Sequence, residues 1–267
     1  MKWIQNHSLG YLQFPSLSAA NRLWHGIVPR FHLQPDGARL PLNLGLNCGD
    51  PDQQVWERRR LVMAAVGTRV AVFARQVHGN RVGVWDCVQH QQAADDHTYL
   101  SGDALVTDVP GAALFIQTAD CQSVLLYDPV KRVVGNVHSG WRGSVLNVIA
   151  ATIQTMTERY GCRPEHMIGA IGPSLGPCCA EFVNYRKEIP PEYWGYRRTD
   201  DLFDFWRMSV DQLVQAGVPA AQITTSGICT RCNPHLFYSY RGEGKQAGRF
   251  VAVIQLMPDS QVSRKHV

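Results

Sequence analysis

The chain has 267 residues, 45% of them hydrophobic and 18% charged. That composition excludes an intrinsically disordered chain, and the length suits one α/β domain of up to ~250 residues. Twenty-six basic residues against 22 acidic ones leave +4 with neutral histidine, a balance that permits phosphate-bearing ligands without demanding nucleic acid.

The first 54 residues are rich in Gly, Pro and Asn, as in Pro35-Asp36-Gly37 and Asn47-Cys48-Gly49-Asp50, and read as loops and short strands. Trp56–Val66 reads as a short helix. Strands are expected over Val70–Val77, Ala112–Gln117, Val124–Tyr127 and Arg132–His138. A helix from Ser144 to Tyr160 follows, because Val145, Val148, Ile149, Thr152, Ile153, Met156 and Tyr160 keep the spacing that buries one face. Ser144 is its expected cap and Gly161 its stop. Met167–Ile171 reads as a buried strand, Asp204–Ala216 as an amphipathic helix and Gln222–Ile228 as a strand. Phe237–Tyr240 and Arg249–Leu256 are expected to form a hairpin around Gly242-Glu243-Gly244. Interleaved strands and helices with no dividing linker give a single-domain layered α/β/α sandwich with a mixed sheet over residues 1–267.

No run approaches the ~18 uncharged apolar residues of a membrane helix. Met1–Gln13 lacks the apolar stretch of a signal peptide. The expectation is a cytoplasmic protein whose eight cysteines are thiols, ligands or core packers. Basic residues are scattered apart from Arg58-Arg59-Arg60, so no groove for nucleic acid is expected. The tail Ser263–Val267 reads as a frayed end.

Three segments pair a metal-capable side chain with small neighbours at a strand end: Gln76-Val77-His78-Gly79-Asn80, Thr118-Ala119-Asp120-Cys121-Gln122 and Val137-His138-Ser139-Gly140-Trp141-Arg142-Gly143. Strand ends are where sites form in open α/β sheets. Two imidazoles and a thiolate would suit Zn²⁺ with one position open. Separations of 43 and 17 residues are unlike a zinc finger, and ten histidines and eight cysteines offer many such triples. Asp120 reads equally as a carboxylate supporting the metal, or a base, and as a turn residue holding backbone N–H groups. His25, His235 and Cys48 are candidates for a fourth ligand.

The phrases QVHGN, TADC and HSGWRG, in that order, resemble the signature of the laccase-domain family. It is also known as the multicopper polyphenol oxidase family, or the purine nucleoside phosphorylase family of the YfiH/YlmD type. The resemblance runs from about residue 24 to 256, through Pro41-Leu42-Asn43-Leu44-Gly45, the Val55–Leu61 helix, the Ile171–Cys179 segment and Leu236–Arg241. It implies that His78, Cys121 and His138 hold the metal and form the catalytic centre. It implies that Arg59, with Asn43 close by, lines the substrate pocket. It further implies one zinc, a monomer, phosphorolysis of adenosine, inosine and methylthioadenosine, and deamination of adenosine. A copper-dependent oxidation of phenols and an editing of peptidoglycan precursors are the alternative activities. The sequence departs from the family pattern at Ser139, at Ser123, at Arg58-Arg59 in place of an Asn-Arg pair, and around Pro35-Asp36-Gly37.

Phosphorolysis needs an anionic phosphate held beside the sugar, a task suited to the planar fork of arginine. Arg59 is the first candidate and Arg142 the second; the alternative for Arg142 is a surface salt bridge. Two rival motifs are present. Gly172-Pro173-Ser174-Leu175-Gly176 has the serine-hydrolase elbow pattern, but it runs into Pro177 and Cys178-Cys179 and reads better as a rigid loop. Cys229-x-x-Cys232 has redox or half-finger spacing without a spaced second pair, and reads as buried thiols in a turn.

Overall fold

The computed structural model describes residues 1–6, 9–34, 36–86 and 97–258. Pro35 and the tail 263–267 lie outside them. The strands are β1 (Lys2–Asn6), β2 (Leu9–Gln13), β3 (Leu23–Val28), β4 (Phe31–Leu33), β5 (Arg39–Pro41), β6 (Val70–Arg75), β7 (Val82–Trp85), β8 (His97–Ser101), β9 (Ala104–Thr107), β10 (Ala112–Thr118), β11 (Gln122–Asp128), β12 (Val133–Ser139), β13 (Ile168–Ile171), β14 (Ile223–Thr225) and β15 (Phe250–Leu256). The expected layered α/β fold is present, with its strand layer doubled. Seven strands run in the order β1-β2-β3-β15-β10-β6-β8 and six in the order β14-β13-β11-β12-β9-β7. Both sheets mix directions: β6 pairs β10 parallel and β15 pairs β10 antiparallel, while β12 is antiparallel to β11 and β7 is parallel to β9.

The period-two alternation of side chains explains the layering. Val72, Ala74, Leu114, Ile116, Ala252 and Ile254 point inward and pack with Leu105, Leu125, Tyr127 and Val134 of the other sheet. Their neighbours in sequence, Ala71, Phe73, Ala113, Phe115, Val251 and Val253, form the opposite face and meet Val62, Met63 and Val66 of the helix Asp52–Val66. The outer face of the six-stranded sheet is covered by Val148, Ile149, Ile153 and Met156 of the helix Val148–Tyr160 and by Leu213 of the helix Phe205–Gln215. Strands covered on both faces become near-continuous apolar runs, which is why these were legible. Among the described residues, no helix is long and apolar enough to cross a membrane.

Three local expectations are corrected. The helix expected from Ser144 is two, Trp141–Val145 and Val148–Tyr160. Asn147, at φ 52°, takes the left-handed conformation between them and accepts from the N–H of Ala150 at 3.1 Å, so it is the cap. Ser144 instead meets the Ser139 hydroxyl at 3.0 Å in the interior. The expected hairpin is absent: Tyr240–Glu243 is a short helix, and β15 pairs β3 and β10. The expected strand Gln222–Ile228 shrinks to β14. Gly161, at φ 65°, ends its helix as expected, and Asp204 caps the helix Phe205–Gln215 by accepting from the N–H of Arg207 at 3.0 Å.

One polar side chain joins the two sheets. Asn136 on β12 is fully buried, and its Nδ2 donates to the carbonyls of Leu114 on β10 and Ala252 on β15, both at 2.9 Å. Replacing Asn136 by alanine removes both bonds and leaves a small void, so it should cost about 2–4 kcal/mol. Urea denaturation checks this; an unchanged midpoint would show that the bridge contributes no net stability.

Candidate metal centre and its cavity

The three segments singled out in the sequence meet at the seam between the sheets. His78 lies in the loop after β6 of the seven-stranded sheet. Cys121 lies in the turn that carries the chain from β10 to β11, and so from one sheet to the other. His138 lies on β12 of the six-stranded sheet. Their ligand atoms all lie within 4.8 Å of one another. Cys121 Sγ is 3.8 Å from His78 Nε2, close to the ~3.6 Å edge that Zn–S and Zn–N lengths give a tetrahedron. The two imidazole rings stand edge to face, with centroids 4.9 Å apart. A Cβ added at Gly140 would come within 2.8 Å of the His78 ring and 3.0 Å of Cys121 Sγ, so only glycine lets the chain after β12 pass this close.

Backbone conformation is also committed to the site. His78 has φ 61° and Asp120 φ 85°, a region that residues other than glycine seldom adopt. In both cases the surroundings impose it. Asp120 accepts from the Thr230 hydroxyl at 2.6 Å and from the N–H of Arg241 at 2.5 Å, which makes it the turn residue of the two readings open from sequence.

The carboxylate that supports the triad is Asp103, which the sequence did not reveal. It is fully buried. Its Oδ1 lies 2.9 Å from His138 Nδ1, and its two oxygens accept from the N–H groups of Val77, His78 and Gly79 at 3.1, 2.8 and 2.8 Å. This pairing leaves Nε2 of His138 as the nitrogen available to a metal, the usual way a carboxylate orients a metal-binding histidine. Burial penalises the Asp103 charge, yet the bonds from His138, Gly79 and Val77 hold it below the usual carboxylate range. Burial likewise opposes ionisation of Cys121, but His138 and then His78 bring it down to about 6. His138 itself, against the same burial penalty, is pushed up to about 9 by Cys121 and Asp103.

None of the three proposed fourth ligands joins the group. His25 Nε2 accepts from the N–H of Phe14 at 2.9 Å, Cys48 Sγ donates to the carbonyl of Leu46 at 3.3 Å, and His235 is exposed. Among the described residues the group has three protein donors, the pattern of a site that keeps one position for solvent or substrate.

The triad opens into a cavity of about 910 Å³. Five arginines line it, namely Arg59, Arg75, Arg142, Arg241 and Arg249, with the aromatic rings of Tyr99, Trp141, Phe182, Phe205 and Tyr240. Arg59 is 1% exposed. Its Nε and Nη2 donate to the carbonyl of Leu44 at 2.9 and 2.8 Å, its Nη1 donates to the Tyr99 hydroxyl, and its plane lies over Trp56 and Phe73. Arg142 is exposed and lies over the Trp141 ring, 4.7 Å from its centroid; no salt bridge takes its charge among the described residues. Asn43 is not on the cavity wall. It is buried, accepts from the N–H groups of Gly45 and Arg249 at 2.9 and 2.8 Å, and donates to Asp50 at 3.1 Å. Its place is behind Arg249, which does face the cavity. Ser174 of the elbow-like motif is buried and its hydroxyl accepts from the Trp206 indole at 2.7 Å, as a rigid loop requires.

Asp103→Asn keeps size but puts an amide group against backbone N–H donors. It should weaken metal binding by about 10–100-fold, read by competition with a chromophoric chelator. Wild-type affinity in a folded variant would remove Asp103 from its supporting role.

The family described as multi-copper polyphenol oxidoreductase laccase matches residues 35–257. A purine nucleoside phosphorylase of Deinococcus radiodurans is 35% identical over 256 residues, 93% of each chain. The purine nucleoside phosphorylase YlmD of Bacillus subtilis is 30% identical over 225 residues, 80% of this chain and 81% of its own. The crystal structure of YlmD from Geobacillus stearothermophilus aligns with a TM-score of 0.81 at 27% identity, over 96% of this chain and 99% of that one. The match takes in both histidines, the cysteine and the strands that present them, and the chain belongs to the multi-copper polyphenol oxidoreductase laccase family.

Proposed function

We propose that the protein is a zinc-dependent purine nucleoside phosphorylase acting on adenosine, inosine and methylthioadenosine, a monomer of the cytoplasm that deaminates adenosine as a side reaction. The observation that carries this reading is one cavity holding a three-donor metal group, five arginines and several aromatic rings. Phosphate suits the arginines, and a flat purine suits the rings. Relatives named purine nucleoside phosphorylase at 30% and 35% identity support the same reading.

Phosphorolysis breaks the bond between sugar C1′ and the purine nitrogen and forms a bond from C1′ to a phosphate oxygen. The products are free purine and ribose 1-phosphate. Guanidinium groups would hold the incoming phosphate and offset its charge as it approaches the sugar, Arg142 from the solvent side and Arg59 from within the wall. A zinc ion held by His78, Cys121 and His138 supplies charge stabilisation and orientation when bound. Asn43 contributes by fixing the segment that carries Arg249.

Phosphorolysis is favoured over deamination as the main reaction. Known zinc base deaminases move protons through a carboxylate. Asp120 is the one carboxylate on the described cavity wall, and both its oxygens are taken. Zinc is favoured over copper because a His₂Cys copper site uses a weak axial ligand such as methionine, and no methionine is on the described wall.

The test is product analysis after adenosine is added to zinc-loaded protein with and without phosphate. Adenine and ribose 1-phosphate that appear only with phosphate are expected, with a minor yield of inosine in both samples. Intact adenosine in both would overturn the nucleoside reading and bring phenols or wall precursors forward. Cys121→Ala should abolish turnover and metal binding at this group while unfolding cooperatively. Arg142→Ala should raise the KM for phosphate about tenfold or more, the weight of one charge-assisted bond, with little loss of stability. An unchanged KM would free Arg142 from phosphate binding.

A further inference from the structure

Four cysteines that the cavity does not use come together elsewhere. Cys178 and Cys179 lie on the loop after β13, and Cys229 and Cys232 on the segment after β14. The four sulfurs all lie within 4.8 Å of one another. Cys232 Sγ is 3.7 Å from Cys178 Sγ and 3.6 Å from Cys179 Sγ. A zinc ion with Zn–S bonds of ~2.3 Å needs tetrahedral neighbours about 3.8 Å apart, whereas a disulfide needs ~2.05 Å. Both distances fit ligands around one ion, and the other sulfurs lie within 4.8 Å. The sequence hid this group because an adjacent pair supplies the second half, in place of the spaced pair a zinc finger shows.

The backbone holds the two segments in this arrangement. Ser174 and Cys229 form a parallel bridge, with the N–H of Ser174 donating to Ile228 at 3.2 Å and that of Thr230 donating to Ser174 at 3.0 Å. The N–H of Gly176 donates to Cys229 Sγ at 3.3 Å, a bond that supports charge on a ligating sulfur. A Cβ at Gly176 would meet Cys229 Cβ at 3.0 Å and the Trp206 ring at 2.9 Å, so glycine is required for the two loops to approach.

We propose that Cys178, Cys179, Cys229 and Cys232 bind one zinc ion as a closed four-thiolate structural site, separate from the His78, Cys121 and His138 group. Each ligand gives its thiol proton to solvent as its bond to the metal forms, and no electron is transferred. Four protein donors leave no open position, so this ion is a clamp. It would lock the loop after β13 to the segment after β14. Both segments reach the cavity: Arg241 donates to the carbonyls of Cys179 and Glu181 at 3.0 and 2.9 Å, and Thr230 and Arg241 hold Asp120 beside Cys121. The clamp would therefore brace the wall that carries the first metal group.

Metal content of the full chain, purified under reductant and zinc, decides the matter. About two zinc ions per chain are expected in the wild type and about one in Cys121→Ala. Cobalt loaded into Cys121→Ala should show strong thiolate-to-cobalt charge transfer, and its removal by a chelator should lower the melting temperature. Cys232→Ser in that background should lose both the cobalt band and the chelator effect. If that double variant does not fold, the Cys121→Ala protein answers alone, since metal released stoichiometrically on titration of its thiols with a mercurial requires the four-thiolate site. Zinc-free Cys121→Ala, or a disulfide between these cysteines in the reduced preparation, would overturn the proposal. Neither result bears on the nucleoside reading, which adenosine turnover tests independently.

Discussion

The candidate centre depends on a single buried carboxylate. Asp103 joins two segments that share no strand pairing with each other. Its side chain gathers three consecutive N–H groups of the His78 loop and takes His138 Nδ1. Its carbonyl accepts the backbone N–H of His138 at 2.6 Å, and its own N–H donates to Arg81 at 2.9 Å. A charge this deep is costly unless its hydrogen-bonding capacity is filled. Here it is filled by the two segments that must meet, so satisfying the carboxylate and assembling the triad are the same event. The unusual backbone of His78 follows from this, because three neighbouring N–H groups can face one carboxylate only if the chain curls around it.

The doubled sheet explains why the site lies where it does. Each sheet alone has strand ends but no enclosed cleft there. Crossing from β10 to β11 brings the Cys121 turn over the edge of both, and the helix Asp52–Val66 on one side and the Trp141–Val145 helix on the other add Arg59 and Arg142 to the walls. Asn136 matters to this geometry because it ties β12, which carries His138, to β10, which leads into Cys121. A shift of one sheet over the other would change the His138 to Cys121 distance directly, and interiors packed this densely resist such sliding.

Much of this was legible in the chain, and the failures share one cause. Runs such as Ala112–Gln117 and Val124–Tyr127 are apolar on both faces and declared themselves. The helix stop at Gly161 is a local signal and was found, whereas the cap at Asp204 emerged only with the structure. The three metal-capable residues stood out through the resemblance that QVHGN, TADC and HSGWRG carry, since their separations alone single out nothing. Asp103 stayed hidden because its partners are 25 and 35 residues away in sequence, and an isolated aspartate after Gly102 resembles any turn. The hairpin expected around Gly242 failed for a similar reason. β15 is buried along its whole length and reaches a lower free energy between β3 and β10 than at an edge, so tertiary pairing overrode the local turn. Asn43 was placed near the pocket by resemblance, and the structure shows it one residue removed, spending its amide on the loop that presents Arg249.

Arg59 places a buried positive charge on the cavity wall. Burial costs a guanidinium its hydration and lowers its proton affinity. Its direct partners are a carbonyl, a phenol hydroxyl and aromatic faces, all of which orient the group without neutralising it. A carboxylate in that position would lower the cost and also quench the field reaching into the cavity. The arrangement therefore keeps a fixed positive charge beside Tyr99 and Gln117 on the cavity wall, with its plane set before any ligand arrives. A preorganised charge of this kind is worth more to a bound anion than a mobile surface lysine, because little ordering is left for binding to supply. In the proposed reading an anionic ligand would recover the stability lost in burying Arg59, and the strength of binding would depend on the same packing that holds the helix Asp52–Val66 against the sheet.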